Sequence, residues 1–354
     1  MRTAVRWTLR IAAAFAALAA LAFGVGWLAT AGERTVPRTV ADDPSLPSAV
    51  VDGVRLHVRT FGDPAAPTVV VVHGGPGNDF RYLLPLQALS DRHHVVFYDQ
   101  RGSGLSERVP DDRLTLEGLY AELDGVVDRF GGGRPVALVG HSWGAMLASG
   151  YVGRHPEKVS RLVVAEPGML TAEDAHRFLE ATGNMRPPVT AEVAWLLART
   201  WLESLRVEGP DADARADYLV GTLASSPFEG HPIAGYFCGR DLRNARMEGW
   251  RFGSRVAPAL LGPAGLDGPS PRVDFVRGVE RFSGKVLFLS GSCNTITGPE
   301  VQRRNLRHFR DAELVVIGGA GHTMFGEKPE ESLAAVRRVL AGERVAAAPG
   351  PDGR

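Results

Sequence analysis

A five-residue motif, Gly140-His141-Ser142-Trp143-Gly144, limits the folds open to this chain more than any other feature. It follows an apolar run at 135–139 and precedes a helix-prone segment at 145–152. A Gly-x-Ser-x-Gly motif at the junction of a strand and a helix is typical of a nucleophile elbow, in which a tight turn exposes the serine hydroxyl above the end of a sheet. The alternative is an ordinary glycine-rich turn, so the surrounding chain must decide.

Apolar strands and helical segments alternate on both sides of this motif. A hairpin is expected at 49–60, and helices are expected at 80–89, 114–130, 298–309 and 329–341. Further strands are predicted at 68–72, 94–98, 135–139, 159–165, 285–290 and 313–318. Strands that are apolar throughout are covered on both faces, so the sequence predicts a mostly parallel, doubly wound α/β sheet with ligands at the carboxyl ends of its strands.

The middle of the chain departs from this alternation. Between 168 and 284 we predict helices at 172–182 and 191–205, and the rest mixes glycine, proline and aromatic residues. We interpret this part as a mainly helical cap inserted over the site. The expected organisation is a core with a first part at 49–168, a cap at 169–284 and a second core part at 285–341. The tail at 342–354 is rich in Ala, Pro and Gly and is expected to be disordered.

The amino terminus has the pattern of a segment directed to a membrane. Arg2, Arg6 and Arg10 are followed by an uncharged apolar run at 11–29, and Ala29-Thr30-Ala31 fits a cleavage site. We therefore expect residues 1–31 to be a signal peptide or a membrane anchor, and the protein to be exported, either secreted or periplasmic or anchored facing outward. The proline-containing segment at 32–48 is predicted to be an extended spacer that holds the domain away from the membrane.

Composition excludes some partners. Lys plus Arg and Asp plus Glu number 40 each, so the formal net charge is zero. A chain without excess positive charge is not expected to bind nucleic acid. Cys238 and Cys293 are the two cysteines, and neither has Cys or His at the spacing of a metal site. We therefore expect no metal and no cofactor. In an exported protein the two thiols could form a disulfide or stay free.

Four motifs together resemble those of the α/β hydrolases, and within them the proline iminopeptidases. They are His73-Gly-Gly-Pro-Gly77, Asp99-Gln-Arg-Gly-Ser-Gly104, Gly140-His-Ser-Trp-Gly-Ala145 and Gly321-His322-Thr323. The resemblance covers 49–341 and implies an α/β-hydrolase fold and a serine aminopeptidase that acts on short peptides with amino-terminal proline. Related esterases and lactonases share much of this pattern, and the cap matches only in kind.

The residues support the chemistry that the resemblance implies. Ser142 needs a base within hydrogen-bond reach, and His322 is the candidate because it follows the last strand in a loop of small residues. An oxyanion is expected to bind the backbone N–H of Trp143, which follows the nucleophile, and a second donor at Gly75. The segment at 99–104 is interpreted as a structural turn near the site.

The third member of the triad departs from the family pattern. The family places an aspartate in a Gly-x-x-Asp motif after the strand at 285–290, whereas this chain has Gly291-Ser-Cys-Asn294. An amide carries no charge to stabilise an imidazolium. Glu166 follows the strand at 159–165, which should neighbour the strand before Asn294, so Glu166 is the first candidate. A neutral Asn294, another acid and lost activity are the alternatives.

Three functions therefore remain open. The first is an aminopeptidase, for which a carboxylate such as Glu229, Asp241 or Glu248 in the cap would hold the substrate's amine. The second is an esterase or lactonase with the same triad, and the third is a non-catalytic protein that binds a ligand on a hydrolase fold. Ser142 in place of an aspartate argues against an epoxide hydrolase. A small molecule or short peptide is the expected partner.

Overall fold

A computed structural model describes residues 2–263, 265 and 271–343, with side chains from residue 5 onward. Within these residues eight strands form one sheet: β1 Ser48–Val51, β2 Val54–Phe61, β3 Thr68–Val72, β4 His94–Tyr98, β5 Val136–His141, β6 Val159–Ala165, β7 Lys285–Gly291 and β8 Ala312–Ile317. The strand order is β1-β2-β4-β3-β5-β6-β7-β8. The strands from β3 to β8 pair in parallel, whereas β1 and β2 are antiparallel and form an edge hairpin. The doubly wound sheet predicted from the sequence is confirmed.

Helices cover both faces of the sheet. The described helices are α1 Arg2–Ala29, α2 Leu116–Gly131, α3 Trp143–Arg154, α4 Ala172–Ala181, α5 Ala191–Ser204, α6 Ala214–Ser225, α7 Val256–Leu261, α8 Pro299–Asn305, α9 Met324–Glu327 and α10 Pro329–Leu340. A 3₁₀ segment at Arg81–Asp91 replaces the helix predicted at 80–89, and Pro85 lies inside it. Since proline removes a backbone donor, a regular α-helix is disfavoured there.

The two faces of the sheet carry separate apolar cores. One core packs α2 and α3 against alternate strand residues such as Val70 and Leu138, and the other packs α9, α10 and the 3₁₀ segment against the opposite residues, such as Val71 and Val139. Residues of β3 and β4 are buried along their whole length. This two-sided burial explains why their sequences are apolar throughout, and it fixes the carboxyl ends of the strands as one rigid edge.

Between β6 and β7 the described residues form helices α4 to α7 and short 3₁₀ turns. The helices α6 and α7 were not predicted, because α6 mixes small and polar residues and α7, with six residues, is too short to show a periodic pattern. Cys238 of this segment forms a disulfide with Cys293, with an S–S distance of 2.03 Å. The bond ties the segment over the sheet to the loop that follows β7. Of the predicted tail, 344–354 lie outside the described residues.

The segment at 32–48, which the sequence predicts to be a spacer, contacts the domain at several points. Thr39 and Val40 are buried, and the amide of Val40 donates to the carbonyl of Leu105 at 2.8 Å. The carbonyl of Pro37 accepts a hydrogen bond from Arg251 at 3.1 Å. The segment therefore packs along the domain and keeps it close to the end of α1. These contacts were not predicted, because the proline-rich composition of the segment does not indicate which residues it meets in the folded domain.

Candidate active site

Ser142 stands in a strained turn between β5 and α3. Its backbone has φ 54° and ψ −120°, a conformation that non-glycine residues rarely adopt, and its amide donates to the carbonyl of Ala165 at 2.8 Å. A Cβ added at Gly144 would lie 2.0 Å from the carbonyl oxygen of Val72, and one at Gly140 would lie 2.5 Å from the carbonyl oxygen of Gly144. The turn therefore requires both glycines, and this is the geometry of a nucleophile elbow.

His322 lies in the loop between β8 and α9. Its amide donates to the carbonyl of Tyr236 at 2.8 Å, and the carboxylate of Glu327 accepts from the amides of Gly321 and Thr323 on either side of it. Ser142 and His322 line the same cavity of about 520 Å³. The Nδ1 atom of His322 is 2.8 Å from an Oε atom of Glu166, so Nε2 is the ring nitrogen left to act on the serine.

Glu166 reaches His322 from the neighbouring strand end. Strands β6 and β7 pair in register through Ala165 and Leu289, so the carboxylate of Glu166 lies beside the turn that follows β7. It is fully buried and accepts hydrogen bonds from the Ser290 hydroxyl at 2.9 Å, the Gly291 amide at 2.7 Å and the Asn294 side chain at 2.6 Å. These donors hold the carboxylate in one orientation, facing the imidazole.

Burial and hydrogen bonding act in opposite directions on the pKa of Glu166. Burial raises the pKa of Glu166 above its usual value, whereas the hydrogen bonds from Asn294, Gly291 and Ser290 favour the ionised carboxylate. Burial lowers the pKa of His322 to about 3. The imidazole is consequently neutral at neutral pH, which is the state that a general base requires.

Asn294 faces Glu166 through its NH₂ group. Its side-chain oxygen accepts from the amides of Ile296 at 2.9 Å and Thr297 at 3.0 Å. The opposite amide orientation would point the oxygen at a carboxylate and leave these two donors unpaired, so the contacts determine the assignment. No hydrogen bond joins Asn294 and His322 among the described contacts. Asn294 therefore contacts Glu166, and Glu166 in turn contacts the imidazole of His322.

The loop after β3 approaches the nucleophile from the other side. A Cβ added at Gly74 would lie 2.9 Å from the Cβ of Ser142. The amide of Gly74 already donates to the hydroxyl of Tyr82 at 2.8 Å, which leaves Gly75, with φ 129°, as this loop's candidate oxyanion donor. The amide of Trp143 lies in the first turn of α3, where backbone N–H groups have no acceptor within the helix. Trp143 thus follows Ser142 directly in the chain, and Gly75 lines the same cavity as Ser142.

A buried chain of hydrogen bonds joins this loop to the histidine loop. The Tyr82 hydroxyl lies 2.7 Å from Nδ1 of His141, and Nε2 of His141 lies 2.7 Å from the carbonyl oxygen of His322. Since the hydroxyl accepts from Gly74, it donates to Nδ1, and Nε2–H donates to the carbonyl. Burial lowers the pKa of His141 well below its usual value, which keeps this neutral tautomer. Neither Tyr82 nor His141 was predicted to be a site residue, although His141 lies inside the serine motif.

The segment at 99–104 forms a turn beside the site, where the sequence interpretation places a structural turn. The carboxylate of Asp99 accepts from the amides of Phe80 and Leu105, and Arg101 pairs with Glu122 at 2.9 Å. The side chain of Gln100 accepts from the indole N–H of Trp143 at 3.0 Å. These contacts hold the turn beside α3 without placing a catalytic group in the cavity.

The segment between β6 and β7, which lies over the sheet, supplies most of the cavity wall. Tyr236 stacks on the imidazole of His322 with ring centroids 4.0 Å apart, a contact for which the sequence carried no signal. The other apolar wall residues include Phe178, Met185, Ile233, Met247, Trp250, Phe252 and Leu261. An apolar wall around a few polar groups is typical of a site for a small organic ligand.

The structure does not bring the three proposed amine-binding acids into this cavity. Glu229 and Asp241 line a separate surface cleft, and Glu248 is exposed and absent from the cavity lining. Asp217 is the one carboxylate among the described lining residues, and Arg108 and Arg251 bind it at 2.9 and 2.8 Å. In the described part of the chain, no three His, Cys, Asp or Glu residues are placed to hold a metal ion.

Known proteins agree with this architecture. Residues 67–198 match the sequence profile of the alpha/beta hydrolase fold. A proline iminopeptidase of Pestalotiopsis fici is 25% identical over 299 residues, which are 82% of this chain and 97% of that protein. Epoxide hydrolase A of Mycobacterium tuberculosis is 26% identical over 331 residues, covering 82% and 95% of the two chains. A cis-3-alkyl-4-alkyloxetan-2-one decarboxylase of Shewanella oneidensis is 35% identical over 48% of this chain and 50% of its own length.

Solved structures show the same fold. The proline iminopeptidase of Mycobacterium smegmatis superposes with a TM-score of 0.56 at 22% identity, covering 84% of this chain and all of that one. An enol-lactonase of Burkholderia xenovorans has a TM-score of 0.53 at 20% identity, covering 83% of this chain and all of that one. The chain therefore has the α/β-hydrolase fold. Its resemblance to proline iminopeptidases, inferred from four motifs, is also confirmed, at an identity too low to carry their specificity over.

Proposed function

We propose that the protein is a serine hydrolase that acts through an acyl-enzyme, with Ser142 as nucleophile, His322 as base and Glu166 as the acid of the triad. The observation that carries the proposal is the 2.8 Å contact between Nδ1 of His322 and Glu166, in a cavity that Ser142 also lines. A carboxylate on Nδ1 fixes the imidazole tautomer and stabilises the imidazolium that forms during the reaction.

The proposed reaction uses the described groups in two steps. Nε2 of His322 takes the hydroxyl proton as the oxygen of Ser142 attacks the acyl carbon, and the amides of Trp143 and Gly75 stabilise the oxyanion. The imidazolium then gives that proton to the leaving alcohol or amine, and the acyl group stays on Ser142 as an ester. Water then attacks the acyl carbon as His322 takes its proton, and the imidazolium returns that proton to the Ser142 oxygen as the acyl–oxygen bond breaks and the acid leaves.

The cavity supports an acyl ester with an apolar group as substrate. Its wall is largely apolar, and its described carboxylate, Asp217, is already bound to two arginines and buried. An ester needs no counter-charge for its binding, whereas a free α-amine needs an available carboxylate. Release of amino-terminal proline is the second candidate, and the similarity to the proline iminopeptidase of Pestalotiopsis fici favours it.

The two candidates differ in a direct comparison of substrates. We expect turnover of p-nitrophenyl acyl esters, with kcat/KM rising as the acyl chain lengthens from acetyl to butyryl because each methylene adds about 0.8 kcal/mol of apolar burial. Prolyl-p-nitroanilide should be a poor substrate. Faster turnover of the prolyl amide would replace the ester assignment with the aminopeptidase. Failure of Ser142→Ala to abolish the turnover of either substrate would reject the proposed nucleophile.

A further inference from the structure

Exposed large apolar side chains are concentrated in one part of the domain. Outside α1, six such residues are exposed in the described chain, and five of them lie between 185 and 201: Met185, Val189, Trp195, Leu197 and Trp201. The sixth, Val50, lies on β1. Single exposed apolar residues are common on soluble proteins, but a contiguous patch of this kind marks an interaction surface.

Helix α5 arranges part of this segment as a stripe. Ala191, Ala194, Trp195, Ala198 and Trp201 are exposed and recur at the spacing of one helical face, whereas Val193 and Thr200 on the other side are buried. The apolar stripe thus faces away from the protein. Leu197 and Val189 extend it, and we call this set of residues the α5 stripe.

The carboxyl-terminal end of α1 packs on the end of the α5 stripe. The rings of Phe23 and Trp201 lie 6.5 Å apart, and Gly26 lies so close to Leu202 that an added Cβ would be 2.8 Å from its Cδ1 atom. The guanidinium of Arg206 lies 3.8 Å from the centre of the Trp27 ring. The last turns of α1 are therefore fixed to the domain, and the direction of α1 sets the position of the stripe.

Helix α1 is suited to a bilayer. Its apolar part, Val5–Ala29, has 25 residues, little of it is buried, and at about 1.5 Å per residue it exceeds a hydrocarbon core of about 30 Å. Phe23 and Trp27 near its end stack on each other at 5.9 Å, and aromatic rings concentrate where a span leaves the hydrocarbon. Because the end of α1 contacts Trp201, a span by α1 brings the stripe to the lipid headgroups.

We propose that the α5 stripe is a membrane-interface surface, occupied by the lipid bilayer that α1 spans. The charges along this segment fit a lipid surface. Between 185 and 201 it carries Arg186 and Arg199 but a single carboxylate, Glu192. Tryptophan is the residue best suited to the interfacial region, and two tryptophans lie on the stripe.

This placement also concerns the substrate, and here the inference rests on the proposed ester hydrolysis. Met185 lines the cavity that holds Ser142 and is exposed, and Thr35 to Pro37, a few residues after the end of α1, line it as well. The cavity wall thus includes one residue of the exposed apolar segment at 185–201 that carries the α5 stripe. Lipophilic acyl esters dissolved in the membrane are the substrate class that this arrangement would receive.

The first test measures where the stripe lies. The full-length protein carrying Trp195→Cys is labelled with a nitroxide and placed in vesicles of phosphatidylcholine and phosphatidylglycerol. Labelling is selective because Cys238 and Cys293 form a disulfide. A matched label replaces exposed Arg310, which precedes β8 at the end of the sheet opposite the strands' carboxyl ends.

The two labels should differ in their collisions with relaxation agents. We expect the nitroxide at 195 to collide with lipid-soluble oxygen and to be shielded from a water-soluble nickel chelate, while the label at 310 collides with the chelate. Equal exposure of both labels to the chelate would overturn the proposal. Shielding of position 195 from both agents would also overturn it, because a second protein copy or another protein would then cover the stripe.

The second test uses activity and separates the surface from the proposed chemistry. We expect the double variant Trp195→Ser with Leu197→Ser to keep its kcat/KM for soluble p-nitrophenyl butyrate. Its rate on p-nitrophenyl palmitate in vesicles should fall roughly tenfold, which corresponds to about 1.4 kcal/mol of lost apolar contact. Val50→Thr is the matched control and should leave both rates unchanged.

The outcomes of the activity test are distinguishable. An unchanged palmitate rate in the double variant would overturn delivery from the membrane and leave ester hydrolysis intact. Absence of any ester turnover in the unmodified protein would reject the proposed hydrolysis and the substrate class, whereas the spin-label result would still decide the surface.

Discussion

The carboxylate of Glu166 and the side-chain amide of Asn294 meet at 2.6 Å, from the ends of two adjacent strands. The position where the sequence pattern predicts an aspartate thus holds a donor, and the carboxylate that we propose as the acid of the triad follows the neighbouring strand. Because the donor faces the carboxylate and its oxygen is held by the amides of Ile296 and Thr297, the two residues form one unit. In this unit Asn294 orients Glu166, and Glu166 contacts His322.

Replacing the carboxylate should remove most of the activity. We expect Glu166→Gln to lower kcat about 10³- to 10⁴-fold with little change in KM, because a neutral amide neither stabilises the imidazolium nor enforces the tautomer of the neutral imidazole. The measurement is steady-state kinetics on p-nitrophenyl butyrate. Circular dichroism of the variant serves as the check on folding.

Removing the neighbouring amide should have a smaller effect. Asn294→Ala takes away one of the donors to Glu166 and leaves the carboxylate in contact with His322, so we expect a loss in kcat of roughly tenfold. Full activity in Glu166→Gln combined with an inactive Asn294→Ala would reverse the two assignments.

Tyr82 should support both the fold and the catalysis. Tyr82→Phe leaves the Gly74 amide and Nδ1 of His141 without their partner inside a buried network, which costs about 1–3 kcal/mol in the free energy of unfolding. We expect kcat to fall as well, because the network joins the loop of Gly75 to that of His322.

A second tyrosine provides the control for this effect. Tyr151 donates its hydroxyl to Asp124 on α2 and does not line the cavity. Tyr151→Phe should therefore lower stability and leave kcat unchanged. Equal kcat values for Tyr82→Phe and the unmodified protein would show that the network is structural alone.

The disulfide should stabilise the loops around the site. Cys238 lies two residues after Tyr236, which stacks on His322, and Cys293 precedes Asn294. The bond closes a separation of 55 residues, for which chain entropy predicts a contribution of about 4 kcal/mol. The Cys238→Ser/Cys293→Ser variant should unfold at a lower denaturant concentration and lose activity before global unfolding. Coincident loss of activity and fold would contradict a local role.

The pH dependence of kcat/KM should reflect the burial of His322. The base must be neutral, and burial lowers its pKa to about 3, below the ordinary histidine value of about 6.5. Activity is therefore expected to persist as the pH falls through 6.5 and to decline only at lower pH. A profile of kcat/KM for a p-nitrophenyl ester tests this. An acidic limb at or above the ordinary value would show that the ring is protonated more readily than its burial implies.

The sequence carried enough information for the sheet and for the order of the site residues. Strands β3, β4 and β6 were predicted within their observed bounds, since two-sided burial imposes an unbroken apolar run. Glu166 was selected because β6 and β7 are adjacent in this fold, and adjacency follows from topology. The expectation that Glu166 reaches His322 then followed from the short spacing between the ends of adjacent strands.

Other parts of the site depend on packing that no local pattern encodes. Tyr236 reaches His322 through a 3₁₀ turn with no periodicity, and Tyr82 acts through a hydroxyl that contacts the amide of Gly74. The segment at 32–48 looked like a spacer because its prolines hide the partners it meets in the folded domain. Similarly, nothing in Glu229 or Asp241 indicated that they would line a different cleft.

The most direct test of the account is covalent labelling of the serine. A fluorophosphonate should phosphonylate Ser142, and peptide mass spectrometry of the full-length protein should find the adduct on that residue. The labelling rate should fall by orders of magnitude in His322→Ala and stay unchanged in a variant of the exposed surface such as Val50→Thr. An adduct on another residue, or equal labelling with and without the imidazole of His322, would contradict the proposed nucleophile and base.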